Sequence, residues 1–315
     1  MHLSFSVLSQ SMITFFFFLL IPFASPLSFN FTNIAPNNTR GSINVTGDAY
    51  ISDKGIQLTP DPDDHNTSSL QWKGGRATYI EPLRLWDRAA GQLADFNTHF
   101  SFFIAKRYYN DSIGYGLAFF LAPNGSNIPK DALGGRMGLT NSEEANAFVA
   151  VEFDTYRNNE WEPDTDFNHV GININSSTSA VNKPWYDIFN NGTTNEAWIS
   201  YDSSSRNLSV VFTLVGDNST IQKHDLGYVV DLRENLPEWV TFGFSASTGD
   251  LFEKNSIKSW AFNSTLRNVT DTKEENKTAP APNGTEENNR APMVELSVGS
   301  CALVLLGWLW LALSV

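Results

Sequence analysis

The run Val149-Ala150-Val151-Glu152-Phe153-Asp154 leads into Thr155-Tyr156-Arg157-Asn158, then past Glu162 to His169-Val170-Gly171-Ile172-Asn173-Ile174. Carboxylates, amides and one imidazole thus stand between two β-branched, apolar runs, the pattern of strand, loop and strand. Side chains two apart on a strand share a face, so Glu152 and Asp154 project together while Val151 and Phe153 project oppositely. Carboxylates held that close repel each other unless a cation lies between them. Carboxylate oxygens, a backbone carbonyl and an amide suit Ca2+, and an added imidazole suits Mn2+ beside it.

Outward from this stretch the chain is all-β in character. Phe96, Phe100, Phe102 and Ile104 alternate with Asn97, His99 and Ser101, as on a strand with one buried face. Residues 198–201, 208–214 and 239–244 read as comparable strands, and no long helical period occurs. Many short strands at close spacing predict two sheets packed face to face. Residues 28–266 have the size at which such a sandwich stands as a single domain. A net charge of −13 and a pI near 4.7 exclude nucleic acid and anionic membrane surfaces as partners, because these demand clustered Lys and Arg. The single cysteine, Cys301, lies in the apolar tail, so the sandwich is expected to rest on its core and bound ions. His65, His99 and His224 read as ordinary surface or packed histidines.

The 149–176 stretch resembles the signature of the legume (L-type) lectins. That signature runs Glu-x-Asp, then an aromatic at +2 from the Asp, Asn at +4, an acid at +8 and His at +15. Glu152, Asp154, Tyr156, Asn158, Glu162 and His169 fill these places without insertion. The resemblance covers residues 28–266 and implies a legume-lectin (concanavalin A-like) jelly-roll β-sandwich. It further implies that Asp154 and Glu162 bridge Ca2+ and Mn2+, that Glu152 and His169 hold the transition metal, and that the Tyr156 carbonyl and Asn158 hold Ca2+. Ser179 falls where the family orients a metal-bound water. The family has Asp where this chain has Glu162, and the extra methylene should weaken the transition-metal site first, since Ca2+ accepts flexible coordination.

Four loops above the metals bind sugar in the resembling family. The first begins there with Ala-Asp-Gly, whose Asp follows a cis peptide bond and accepts hydrogen bonds from two sugar hydroxyls. Here the motif is Ile113-Gly114-Tyr115-Gly116, and the Tyr115 phenol cannot supply a bidentate carboxylate acceptor. The loss costs about 1.5–3 kcal/mol, which puts ordinary mannose or glucose binding in question. Gly134 and Gly135 match the loop whose backbone N–H contacts a sugar, although read alone they are plain turn glycines. Asn158 offers its amide and Tyr156 a stacking face, and Asp250 and Leu251 fall on the family's specificity loop. Tyr115, Tyr156 and Trp161 make an aromatic rim for an apolar sugar face, a charged glycan or a non-carbohydrate apolar ligand, or else they are packed aromatics. Glycans or another extracellular ligand are therefore the expected partners. The family often dimerises through sheet edges or faces, which leaves a homodimer open.

A related jelly-roll glycosidase family carries Glu-x-Asp-x-Glu on one strand and needs its two acids about 5 Å apart. The third acid would stand at Tyr156 or Arg157, so catalysis is not expected. Residues 1–27, with the Phe15-Phe16-Phe17-Phe18 run and Ala24-Ser25-Pro26, read as a secretory signal. Fourteen Asn-x-Ser/Thr acceptors, among them Asn30, Asn66, Asn124, Asn191, Asn207 and Asn276, fit that route. Residues 267–293 are too polar to bury anything and read as a flexible stalk. Residues 294–315 form an apolar tail, read either as a glycolipid-anchor (GPI) signal with small residues at Asn283-Gly284-Thr285 or as a retained membrane span. A similar order of lectin, stalk and span occurs in plant L-type lectin receptor kinases, but no kinase motif is present here. The expected location is the plasma membrane, with the lectin-like portion facing outward.

Overall fold

A computed structural model of the chain describes residues 26–61, 69–105, 114–141, 146–159, 161, 168–185, 194–215 and 221–268. In chain order its strands are β1 (Ser28–Phe31), β2 (Ile43–Gly47), β3 (Tyr50–Ser52), β4 (Gly55–Gln57), β5 (Gly74–Tyr79) and β6 (Leu83–Arg84). Next come β7 (Trp86–Asp87), β8 (Gln92–Ala105), β9 (Gly116–Pro123), β10 (Val149–Asp154), β11 (His169–Ile174) and β12 (Val181–Pro184). The last are β13 (Asn195–Asp202), β14 (Asn207–Val215), β15 (Ile221–Val229), β16 (Trp239–Ser247) and β17 (Lys254–Asn268).

These strands make two antiparallel sheets. The first has nine strands in the order β15-β14-β13-β8-β17-β4-β3, with β1 beside β17 and β7 beside β8. The second has eight in the order β12-β11-β10-β9-β16-β5-β2, with β6 beside β16. The expected all-β jelly-roll sandwich is therefore found. The only α-helix among the described residues is Leu232–Asn235, capped by the Asp231 carboxylate, which accepts the Arg233 N–H at 3.1 Å.

Period-two patterning explains the core between the sheets. On β8, Phe96, Phe100, Phe102 and Ile104 are buried in it, while Asn97, His99 and Ser101 take the other face, as the sequence predicts. Trp260 of β17 sits at the middle, edge-on to Phe29 and Phe244 with ring centroids 4.8 and 4.9 Å away. Its Nε1 donates to Thr98 Oγ1 at 3.0 Å, so its polar atom is satisfied within the core.

β10 departs from simple alternation, because all six of its residues are buried. Val149, Val151 and Phe153 face the main core, whereas Ala150 joins Ala118, Phe120, Met137, Leu139 and Phe148 in a second apolar cluster. The loop after β9 folds across the outer face of the eight-stranded sheet and covers it. Arg76 of β5 helps hold that loop down, donating from Nη2 to Gly138 O at 2.5 Å with its guanidinium 4.7 Å from the Phe120 ring centroid. Burial lowers its pKa to about 10, so the group remains a cation.

The signal-like residues 1–25, Ile113, Glu162, the stalk beyond Asn268, the apolar tail, and Asn66, Asn191 and Asn276 all lie outside the described residues. Among the described residues no helix is long and apolar enough to cross a membrane. Trp260→Ala is expected to cost about 3–5 kcal/mol through the cavity it leaves. Urea denaturation reads this as a lower midpoint at unchanged slope, and a loss below about 1 kcal/mol would contradict the central role of this ring.

Candidate functional site

The outer face of β10 ends in Glu152 and Asp154, both buried, at 4% and 1% exposure. Antiparallel register sets Asp154 opposite His169 and Glu152 opposite Gly171 on β11, so these four positions share one face. His169 Nε2 lies 3.3 Å from Glu152 Oε1 across the diagonal of the ladder. Ser179 Oγ, from the turn after β11, donates to Glu152 Oε1 and stands 3.5 Å from His169 Nε2. Gly171 makes this convergence possible, since a Cβ there would lie 2.0 Å from Ser179 Oγ and 2.7 Å from Glu152 Oε1.

A second group gathers around Asp154. Its Oδ1 accepts the Tyr156 N–H at 2.6 Å, which turns the chain sharply out of the strand. Its Oδ2 accepts from Asn158 Nδ2 at 3.2 Å, and the same nitrogen reaches the Tyr156 carbonyl at 3.3 Å. Glu152, His169 and Ser179 thus meet on one side, and Asp154, Tyr156 and Asn158 on the other. Among the described residues no three His, Cys, Asp or Glu side chains stand close enough to hold an ion by themselves. The full donor set adds a carbonyl, an amide and a hydroxyl to two buried carboxylates and an imidazole. Such a mixture is the chemistry of a hard divalent cation beside a transition metal. Buried carboxylates also require compensating charge.

Above these groups lies a pocket of about 490 Å3, into which Tyr115, Gly134, Gly135, Tyr156 and Asn158 all project. The Gly114–Tyr115 peptide is cis. Tyr115 and Tyr156 meet edge to face with centroids 4.6 Å apart, and Trp161 and Trp72 complete an aromatic rim. Arg136 borders the same space with its guanidinium 5.1 Å from the Trp161 ring centroid, and Arg157 lies beside it. Burial, and then the neighbouring Tyr156 and Asp250, hold the Tyr115 phenol above its ordinary pKa against backbone hydrogen bonds from Leu251 and Asp250. Tyr115 therefore presents a neutral hydroxyl. Asp250 and Leu251 adjoin this phenol and do not line the pocket.

The two glycines of the covering loop have different jobs. Gly134 has φ +71°, a conformation favouring glycine, while Gly135 is required by close approach, its absent Cβ being only 2.2 Å from Asn158 Oδ1. Two serines on the outer face of β16 strap the loop down: Ser245 Oγ donates to Met137 O at 2.6 Å and Ser247 Oγ to Gly134 O at 2.8 Å. Trp72 was not legible as a site residue in the sequence, since it belongs to no spaced motif, and Arg136, although next to Gly135 in the glycine motif, carried no assigned role. Glu253 was missed as well, although an acid entering the central strand β17 is itself a signal.

Glu253 joins the two halves of the site. Its Oε1 accepts the Gly116 N–H at 2.6 Å, next to Tyr115, and its Oε2 pairs with Thr155 Oγ1 at 2.8 Å, next to Asp154. Burial pushes its pKa up to about 7 against hydrogen bonds from Thr155 and Gly116. In the unfolded chain the group ionises near 4.5, so between that pH and 7 the native state holds a proton the unfolded state has lost. Stability from this group is full below pH 4.5, falls as pH rises to 7 and then levels, a change of about 3 kcal/mol. Glu253→Gln, which mimics the protonated acid, should flatten the profile in denaturant melts at pH 5 and 7.5 with chelator present. An unaltered pH dependence in the variant would refute the assignment.

Comparison with known proteins follows the same outline. The family model described as Legume lectin domain matches residues 26–279. Agglutinin-2 of Cladrastis kentukea is 38% identical over 270 residues, covering 84% of this chain and 90% of the relative. The L-type lectin-domain containing receptor kinase IX.1 of Arabidopsis thaliana is 35% identical over 274 residues, covering 85% of this chain and 41% of that protein. Among solved structures, the lectin from Bauhinia forficata in complex with GalNAc superposes with a TM-score of 0.65 at 34% identity, over 76% of this chain and 99% of that one. Lectins are a non-enzymatic family, in agreement with the incomplete pair of acids on β10.

Proposed function

The chain belongs to the legume lectin family, and on that premise we propose that it is a metal-stabilised carbohydrate-recognition protein facing the extracellular side. The observation that carries this reading is the convergence of Tyr115, Gly134, Gly135, Tyr156 and Asn158 on one pocket above the buried acids of β10. Residues 1–27 act as the secretory signal, the polar residues beyond Asn268 as a stalk, and 294–315 as the tether to the plasma membrane.

Glu152 and His169 would hold Mn2+ with Ser179 orienting a bound water, the Tyr156 carbonyl and Asn158 would hold Ca2+, and Asp154 and Glu162 would serve both ions. Bound ions would neutralise the buried carboxylates, and residues 156–159 beside them line one wall of the pocket. Ligand recognition then falls to the chain's own groups. The Asn158 amide and the backbone of the glycine loop meet hydroxyls, and the aromatic rim meets an apolar sugar face. Tyr115 supplies one neutral hydroxyl where the family has a charged acceptor, so mannose and glucose are bound weakly. A second reading, an apolar ligand or protein partner in the manner of a decoy or co-receptor, is favoured by the four aromatic side chains on the rim.

Removal of metal by EDTA should lower the calorimetric melting temperature by roughly 5–10 °C, the equivalent of about 2.7 kcal/mol for ions at a hundred times their dissociation constant. Gly171→Ala, which crowds Ser179 and Glu152, should abolish that metal-dependent increment. An identical melt with and without EDTA would remove the metal from the assignment.

On a glycan array, Tyr115→Asp should gain mannose or glucose binding by about tenfold or more over the native chain. A native chain silent on every glycan while the variant binds hexose would favour the second reading. Silence of both proteins would defeat the sugar site altogether.

A further inference from the structure

A groove of about 370 Å3 crosses the outer face of the nine-stranded sheet. Strand register places Asn30, Ala261, His99 and Trp198 in one row across β1, β17, β8 and β13. All four point away from the core, because their chain neighbours Phe29, Phe262, Phe100 and Ile199 pack into it. His99 and Trp198 stack with centroids 4.7 Å apart and planes 3° from parallel, and Lys223 Nζ lies 3.8 Å from the Trp198 centroid. Rings on adjacent strands that stack this way stand upright on the sheet. One face of His99 is taken by Trp198, and the other looks across the small Ala261 side chain toward Asn30.

Asn30 opens the sequence Asn30-Phe31-Thr32, an acceptor for N-linked carbohydrate, and is exposed. Asn263, in Asn263-Ser264-Thr265, is a second exposed acceptor bordering the groove, but its neighbour in the row across β8 is Asn97, with no aromatic face beside it. We propose that Asn30 carries an N-linked glycan whose first sugars lie in this groove across Ala261, with an apolar face against His99. The upright His99–Trp198 stack supplies the aromatic surface on which sugar C–H groups pack, and the amides of Asn97 and Asn263 meet its hydroxyls. Ala261 is the device that makes room: any larger side chain there would fill the space between Asn30 and the ring. The outer face of this sheet is then covered by the protein's own carbohydrate. The proposal rests on passage through the secretory route.

Mass-spectrometric peptide mapping of the full chain made in plant cells tests the attachment. A glycan on the Asn30 peptide is the expected result. An unmodified Asn30 beside an occupied Asn124 overturns this proposal alone, whereas bare asparagine at every acceptor overturns the secretory reading together with it. Seating is read from the rate at which an endoglycosidase trims the Asn30 glycan on the native protein. His99→Ala should accelerate trimming roughly three- to tenfold, the worth of one aromatic contact. Ala261→Leu, which fills the groove and leaves both rings intact, should do the same and serves if the first variant does not fold. Equal rates in native and variant proteins would show that the glycan does not use the groove.

Discussion

A strand buried on both faces cannot shift its register by even one residue, and β10 is such a strand. Moving it by one position would drive Glu152 and Asp154 into the main core and bring Val151 and Phe153 out against His169. The apolar packing of Val149, Val151 and Phe153 therefore fixes where the carboxylates stand, as firmly as any direct bond to them could. Register with β11 then sets His169 and Gly171 beside those acids without further help. The polar cluster is placed by the hydrophobic core behind it.

The covering loop is the second half of that arrangement. It buries the outer face of β10 with Met137 and Leu139 and in the same span presents Gly134 and Gly135 to the pocket. Its fastenings come from strands distant in sequence: Arg76 on β5, and Ser245 and Ser247 on β16. These serines alternate with Phe244 and Ala246, so one strand serves the main core with one face and the loop with the other. Glu253 adds a bridge from the Tyr115 side to the Asp154 side. Pocket shape is thus a property of packing across β5, β10 and β16.

Much of this was readable from the chain. Alternation on β8 gave the buried face of a strand, and the spacing from Glu152 to His169 gave the acidic cluster, because period-two geometry and local spacing are written in neighbouring residues. Tyr115, Gly134, Gly135, Tyr156 and Asn158 line one pocket. Asp250 and Leu251 adjoin the Tyr115 phenol and do not line the pocket. Burial of both faces of β10 was not readable, since it depends on a loop whose landing place is set by tertiary contacts. The same holds for Trp72, which reaches the site from a sequence position far from its other residues. Gly135 looked like a turn residue, yet it is the nearness of Asn158 that demands the missing side chain.

The last strand of the sandwich, β17, is also one of its innermost, lying between β8 and β4 with Trp260 at the heart of the core. Its partner β8 is made some 160 residues earlier, so the principal pairing of the nine-stranded sheet joins distant parts of the chain. During synthesis more than nine-tenths of the domain must wait, its apolar faces unsealed, until residues 254–268 arrive to close the middle. Premature termination anywhere before that point leaves a sheet with a gap at its centre. A chain built this way depends on protection while it is incomplete, and acquires its final form only when the end of the domain has been delivered.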